Sequence, residues 1–195
     1  MPRYIVGITG ASGVIYGLRL LEVLLQKQTE VHLVVTNPGR IVIEHEMNWD
    51  MQGDWKANIC AHLPEGNITV YDDSDIAAPI ASGSFRVDGM LVIPCTMASI
   101  AALASGSARS LLERSADVML KEKKPLLLVP RETPLSSIHL RNMLLLAEAG
   151  VHIIPAMPAF YTHPATVEDV VDFVVGKVLD ALGMDHNLFK RYGEP

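Results

Sequence analysis

Cysteine is scarce in this chain. Cys60 and Cys95 are the only two in 195 residues, and they follow no metal-ligand spacing, so neither a disulfide scaffold nor a cysteine-built metal centre is expected. Charge is thin as well, at 19% of residues, and no apolar run reaches the ~18 residues that a membrane span needs. Basic residues are outnumbered, 16 Lys and Arg against 22 Asp and Glu, for a net charge of −6. A nucleic-acid-binding face is therefore not expected, and any phosphate ligand must be held by a local cluster rather than by the overall field. No signal peptide is visible, because Met1-Pro2-Arg3-Tyr4 leads straight into a strand pattern, so a cytoplasmic protein is expected. What is abundant is apolar surface, 49% of residues. That surplus suits a sheet covered on both faces, together with contacts between subunits.

The patterns alternate. Strands are predicted at Tyr4–Thr9, Glu30–Thr36, Ile68–Tyr71, Asp88–Pro94, Leu126–Val129 and Val151–Ile154. Helices are predicted at Val14–Lys27, Pro38–Glu46, Thr96–Ala104, Ser110–Glu122, Leu135–Ala149 and Thr166–Leu182. Thr166 and Asp169 are an N-cap and an acidic N3 for the last of these, and Gly150 ends the one before it. Residues 47–67 carry both tryptophans and little periodicity, and read as an irregular insert. Repeated strand–helix units of this length predict an α/β fold of three layers, Rossmann-like or flavodoxin-like, with a parallel central sheet and helices on both faces. Residues 1–183 read as one domain, and 184–195 as a more polar tail that meets a neighbouring subunit.

In such sheets ligands bind beyond the carboxyl ends of the strands, and several strand ends here carry polar chemistry. Gly10-Ala11-Ser12-Gly13 follows the first strand, where glycines let the backbone approach a ligand and the helix start offers N–H groups to a phosphate. It is neither GxGxxG nor a P-loop. A tight packing turn is the plain alternative, with Ser12 as a simple N-cap. Thr36 ends the second strand, where it either meets a cofactor or caps the helix before Pro38. The fourth strand stops at Pro94-Cys95-Thr96-Met97-Ala98-Ser99, a stretch of small and polar residues suited to a cofactor edge. Cys95 reads better as a small core residue than as a nucleophile. The fifth strand ends in Pro130-Arg131-Glu132-Thr133-Pro134, an Arg and a Glu between two prolines, suited to an anionic ligand and a proton transfer. Glu44-His45-Glu46 is no metal site by spacing, since i and i+2 do not share a helix face. Arg114, Lys121 and Arg131 lie around the fifth strand, whereas Lys123 and Lys124 read as solvated. Tyr161 and Lys177 could both reach a phosphate, with an ordinary surface lysine as the plain alternative for Lys177.

Taken in order, Thr9-Gly10-Ala11-Ser12-Gly13, Ala81-Ser82-Gly83-Ser84-Phe85, Pro94-Cys95-Thr96-Met97, the Arg114–Glu122 segment, Val129-Pro130-Arg131-Glu132-Thr133-Pro134-Leu135-Ser136 and Pro155-Ala156-Met157-Pro158-Ala159-Phe160-Tyr161 resemble the flavin prenyltransferase family of UbiX type, once described as phenylacrylic or aromatic acid decarboxylases. The resemblance spans nearly the whole chain. It implies a homo-oligomeric flavoprotein, typically a dodecamer. It also implies transfer of the dimethylallyl group of dimethylallyl monophosphate to N5 and C6 of reduced FMN without a metal, the prenylated FMN then serving a UbiD-type decarboxylase. By position, Gly10, Ala11, Ser12, Thr36, Thr96, Met97, Ala98, Ser99 and Arg131 would hold FMN. Glu132, Ser12 and Glu46 would do the catalytic work, with Glu132 managing protons. Arg114, Lys121, Tyr161 and Lys177 would hold the prenyl phosphate in a site shared between subunits. Two positions depart from the family pattern: Lys177 stands where Arg is common, and Tyr192 where some members carry Trp. Lys keeps the charge but loses the planar fork.

Two other readings share the fold. One is an FMN-dependent decarboxylase acting on a C-terminal or pantothenoyl cysteine, whose catalytic His has its nearest candidate in His45. The other is a non-catalytic FMN carrier subunit, which would have no use for a second set of phosphate-binding cations.

Overall fold

The apolar runs become strands buried between two helical layers. β1 (Arg3–Ile8), β2 (Glu30–Val35), β3 (Ile68–Asp72), β4 (Gly89–Cys95), β5 (Leu126–Pro130) and β6 (His152–Ile153) form one sheet in a computed structural model that describes residues 1–193. All five strand pairings are parallel, in the order β3-β2-β1-β4-β5-β6. That is the doubly wound order of Rossmann-like folds, which reverses between β1 and β4. β4 and β5 are buried along their whole length, as central parallel strands must be.

The connecting helices are α1 (Val14–Gln26), α2 (Asn37–Met47), α3 (Trp55–Ala61), α4 (Met97–Ala104), α5 (Leu111–Lys121), α6 (Ser137–Glu148) and α7 (Val167–Ala181). Strand side chains alternate between the two layers. Tyr4, Val6 and Ile8 join Leu18 and Leu21 of α1 and Val171 and Val175 of α7. Ile5, Val34 and Val92 join Ile100 of α4 and Leu112 and Met119 of α5. Gly17 brings α1 hard against β4, since a Cβ there would lie 2.3 Å from the Ile93 carbonyl oxygen. The thiol of Cys95 is fully buried and burial pushes its pKa far up, so it is an inert core residue.

Two expectations are corrected. The 47–67 insert is not irregular throughout: α3 forms there, capped by Asp54 accepting from the Ala57 N–H and anchored by buried Trp55 and Ile59. Seven residues are too few for a helical repeat to show in the sequence. β6 has two residues, not four, because it is the sheet's edge. The capping box at Thr166 and Asp169 is present, and Gly150 follows α6 at φ 90°.

Two surfaces matter later. On α6 only Leu146 is buried, and Ile138, Leu140, Leu144 and Leu145 stand exposed. The tail from Met184 turns back on α7, where the Phe189 and His186 rings fill the space beside Gly176; Glu194 and Pro195, the end of the expected tail, lie outside the described residues. Among the described residues no helix is long and apolar enough to cross a membrane.

A polar knot lies at the other end of the sheet from the ligand side. His32, 5% exposed, bonds Tyr71 Oη at 2.9 Å and Glu30 Oε1 at 3.0 Å, and Glu30 pairs with Arg3 at 2.8 Å. Burial holds the His32 pKa below its ordinary value despite Glu30. The unfolded chain then binds a proton that the folded chain refuses, so stability falls as pH drops below ~6.5. Thermal melting from about pH 7.5 down to about pH 5 should show a steeper loss in the parent than in His32→Gln; equal slopes would remove His32 as the cause.

Candidate active site

The strand order reverses at the gap between β1 and β4, and the two loops that leave these strands are tied together. Thr9, 1% exposed, donates from Oγ1 to the Pro94 carbonyl (2.7 Å) and accepts from the Thr96 N–H (2.9 Å). Thr96 then caps α4, accepting from the Ser99 N–H at 3.1 Å and sharing a hydroxyl bond with Ser99 Oγ at 2.9 Å. Met97 turns its side chain into the core, so only its backbone borders the loop; Ala98 is exposed and Ser99 half-buried. On the other bank, Gly10 packs on Pro38, where a Cβ would approach within 2.5 Å. Thr36 caps α2 through the Gly39 N–H at 3.1 Å, and its own N–H donates to the Ile8 carbonyl at 3.0 Å. Thr36, Gly10 and Thr96 thus stand side by side at the carboxyl ends of β2, β1 and β4.

The plain alternative for Ser12 does not hold at the helix start. Ser12 is not the N-cap of α1; Gly13 is, at φ 98°, with no side-chain cap of its own. The anion at this helix start belongs to the protein. Glu46, from the last turn of α2, accepts from the Gly13 N–H at 2.9 Å and the Val14 N–H at 3.1 Å, a favourable place for a carboxylate. A bound phosphate would therefore meet the preceding N–H groups of Gly10, Ala11 and Ser12, which have no partner among the described residues. Those three donors, with the exposed Ser12 hydroxyl, fit the phosphate or ring edge of a flavin nucleotide. Glu44-His45-Glu46 belongs to no metal-binding group of three or more ligands among the described residues.

Arg131 and Glu132 leave β5 beside this loop. Arg131 Nε donates to the Ser12 carbonyl at 3.1 Å. Burial raises the pKa of the Tyr16 phenol, and Arg131 partly offsets the rise, which places that cation near the ring. A cleft of about 420 Å³ opens here, lined by Pro130, Arg131, Glu132, Leu135, Met143 and Met157 among others. Glu132 is exposed, with Oε1 accepting the Thr133 N–H at 3.0 Å. The Arg131 guanidinium thus ties the end of β5 to the glycine loop, and Glu132 follows it along the lining of the cleft.

The remaining cations are not all brought together. Arg114 bonds the Ala81 carbonyl (3.3 Å) and Asp117 (3.0 Å) on α5. Lys121 ends the same helix, seven residues on and on the same face. α5 runs antiparallel to β5, so Lys121 stands where β5 begins and Arg131 stands past its end. Five strand residues separate the two levels, roughly 16 Å along the strand. Tyr161, in the loop after β6, packs edge-on to Phe173 and to Tyr192. Lys177, on α7, lies 3.5 Å from Asp180.

Comparison with known proteins decides the family. A model of the family described as Flavoprotein matches residues 1–179. A curated relative from Halalkalibacterium halodurans, named Flavin prenyltransferase UbiX, is 50% identical over 194 residues, covering 98% of this chain and 93% of its own. The chain belongs to the flavin prenyltransferase family. A solved structure of AnUbiX (PadA1) in complex with FMN and dimethylallyl pyrophosphate is 42% identical with a TM-score of 0.89, covering 100% of this chain and 98% of that one. A dodecameric FMN-dependent UbiX-like decarboxylase from Escherichia coli O157:H7 is 44% identical with a TM-score of 0.90, covering 98% of this chain and 100% of that one.

Within that family frame, sequence reasoning missed two residues. Thr9 was visible only as a polar residue ending an apolar strand before a glycine. Tyr16 carried no signal beyond its place on α1. Thr9→Val keeps the volume but strands the Thr96 N–H, a cost of about 1–3 kcal/mol. FMN titration should show binding weakened by about tenfold. Parent-like binding with a lowered melting temperature would reduce Thr9 to a packing role.

Proposed function

We propose that the protein is a flavin prenyltransferase that joins the dimethylallyl group of dimethylallyl monophosphate to N5 and C6 of reduced FMN. The observation that carries this reading is the Arg131 bond to the Ser12 carbonyl. It sets a cation against the glycine loop at the sheet's switch point, with Glu132 next in the chain at a largely apolar cleft suited to a prenyl group.

Reduced FMN supplies an electron-rich N5 and C6. The chain's residues do the rest. Gly10, Ala11 and Ser12 offer backbone donors, Thr36 and the Thr96–Ser99 turn border the other side, and Arg131 spans both. Glu46 keeps the loop in shape by holding the Gly13 and Val14 N–H groups, and so presents the Ser12 hydroxyl to the crevice. The allylic C–O bond breaks as its carbon bonds to N5, which loses its proton, and phosphate departs with the electron pair of that bond. The alkene then takes a proton at its central carbon while its tertiary carbon bonds to C6, which loses its own proton. Arg114, Lys121, Tyr161 and Lys177 steady the developing phosphate charge in a site closed to water. Holding the allylic carbon against the acceptor supplies much of the rest. Glu132 gives a proton to the departing phosphate oxygen and takes the one released from C6.

The level difference between Lys121 and Arg131 supports a site built by more than one copy, with α5 of one subunit facing the cleft of another. The bare apolar face of α6 suits a subunit contact, and the dodecameric relative agrees with a homo-oligomer. Residues 1–183 act as one flavoprotein domain in the cytoplasm, the 184–195 tail meets a neighbour in the assembly, and the product goes to a UbiD-type decarboxylase.

Reduced FMN and dimethylallyl monophosphate should be incubated with the protein under anaerobic conditions and the flavin weighed. A mass gain of one prenyl unit is expected. An unchanged flavin overturns the reading, and carbon dioxide released from a cysteinyl peptide instead would select the cysteine decarboxylase.

A further inference from the structure

Tyr161 and Lys177, two of the residues read above as holders of the prenyl phosphate, come from different elements. Tyr161 meets α7 directly at Phe173, and the tail adds a second connection that hangs on one carboxylate. Asp180, near the end of α7, accepts from Arg191 Nη2 at 2.8 Å and Nη1 at 3.4 Å, and from His186 Nε2 at 3.1 Å; Lys177 Nζ lies at 3.5 Å. The His186 side chain is 1% exposed. Its Nδ1 accepts the Leu188 N–H at 3.2 Å, so Nε2 is the nitrogen that carries the proton towards Asp180. The carboxylate therefore has two fixed donors from the tail and one mobile donor from α7.

Apolar contacts extend the same arrangement. Phe189 lies 4.9 Å from Phe173 and 5.2 Å from His186, centroid to centroid, over the gap that Gly176 leaves open. Arg191 passes above the Phe189 ring. The next residue, Tyr192, meets Tyr161 edge-on at 5.4 Å, and Tyr161 meets Phe173 at 5.8 Å. Tyr192 is otherwise 85% exposed, so Tyr161 and the anchored Arg191 are what fix its direction. Lys27 Nζ secures the start of the tail at the Asp185 carbonyl, 2.6 Å away.

We infer that Asp180 is a positioning residue for the phosphate subsite: by binding Arg191 and His186 it folds the tail so that Tyr192 braces Tyr161, and by the same carboxylate it keeps Lys177 on that side of α7. The inference rests on the reading of Tyr161 and Lys177 as phosphate holders. The long, half-exposed Lys177 contact is the weakest of the set, so an arriving phosphate can take this lysine without releasing the tail.

The test is Asp180→Asn, with Arg191→Gln as a second variant that loosens the same clasp from its exposed side. Three quantities are read on the assembled protein: hydrogen exchange of residues 184–192, the FMN dissociation constant, and KM and kcat for dimethylallyl monophosphate at saturating reduced FMN. In both variants the tail should exchange faster, and KM for the prenyl phosphate should rise about tenfold, as loss of a charged hydrogen bond allows. FMN affinity should stay within about twofold of the parent. Asp180→Glu should recover part of the loss. Unchanged exchange shows that Asp180 does not hold the tail, and faster exchange with an unchanged KM shows that the tail does not serve the phosphate; either overturns the inference. Lys177→Ala and Tyr161→Phe are measured alongside. If both leave KM for the prenyl phosphate at the parent value, the phosphate reading itself is wrong and the inference falls with it. If they raise it while Asp180→Asn does not, the inference alone fails.

Discussion

Glu132→Gln is expected to keep FMN bound while prenylation slows by roughly 10²- to 10⁴-fold, the usual loss when a general acid–base is removed. The variant is clean for a structural reason. Glu132 is exposed at the cleft, and its one bond within the described residues is the Thr133 N–H donating to Oε1, which a glutamine Oε1 also accepts. Shape, loop and cleft therefore remain, and what disappears is the capacity to give and take a proton. FMN binding by absorbance and turnover by flavin mass separate the two effects. A parent-like rate would take Glu132 out of the chemistry and leave Arg131 and the phosphate-binding cations to carry it.

A larger recovery effect is expected from mixing two dead proteins. Lys121→Ala should lose most activity by removing a phosphate cation, and Glu132→Gln loses it by removing the proton carrier. When the two variants are co-expressed so that subunits mix, activity should return to about a quarter of the parent level, because random pairing across a shared interface gives one site in four both native groups. The ground for this is the level difference along β5 between Lys121 and Arg131, which a lysine side chain cannot span. If Lys121 and Glu132 served the same site from the same chain, every mixed site would lack one of them, and no activity would return.

Much of the fold was legible because its signals are local. Apolar runs of four to seven residues alternating with helical periodicity located all six strands, and Thr166 with Asp169 marked the α7 start. α3 escaped because seven residues span two turns, and β6 was overextended because Ile154 continues the apolar run and still bonds the Leu128 carbonyl after the ladder ends. The site was legible at strand ends, where Gly10–Gly13, Thr96–Ser99 and Arg131-Glu132 break the apolar pattern. What stayed hidden are couplings between segments far apart in the chain. Glu46 lies 33 residues from Gly13, Thr9 lies 85 from Pro94, and no periodicity or turn rule relates them. Asp180 escaped for the opposite reason, since an acidic residue near the end of a surface helix looks like ordinary solvent-facing charge.

The contact at Gly17 has a bearing on selectivity. With no side chain between α1 and the Ile93 carbonyl, the first helix and the fourth strand form one rigid jaw, and interiors packed this tightly transmit displacement rather than absorb it. The gauge of the crevice is thus a property of backbone spacing. Trimming the side chains around its mouth would alter how firmly a heterocycle is gripped, whereas admitting a broader one would require moving the jaw itself.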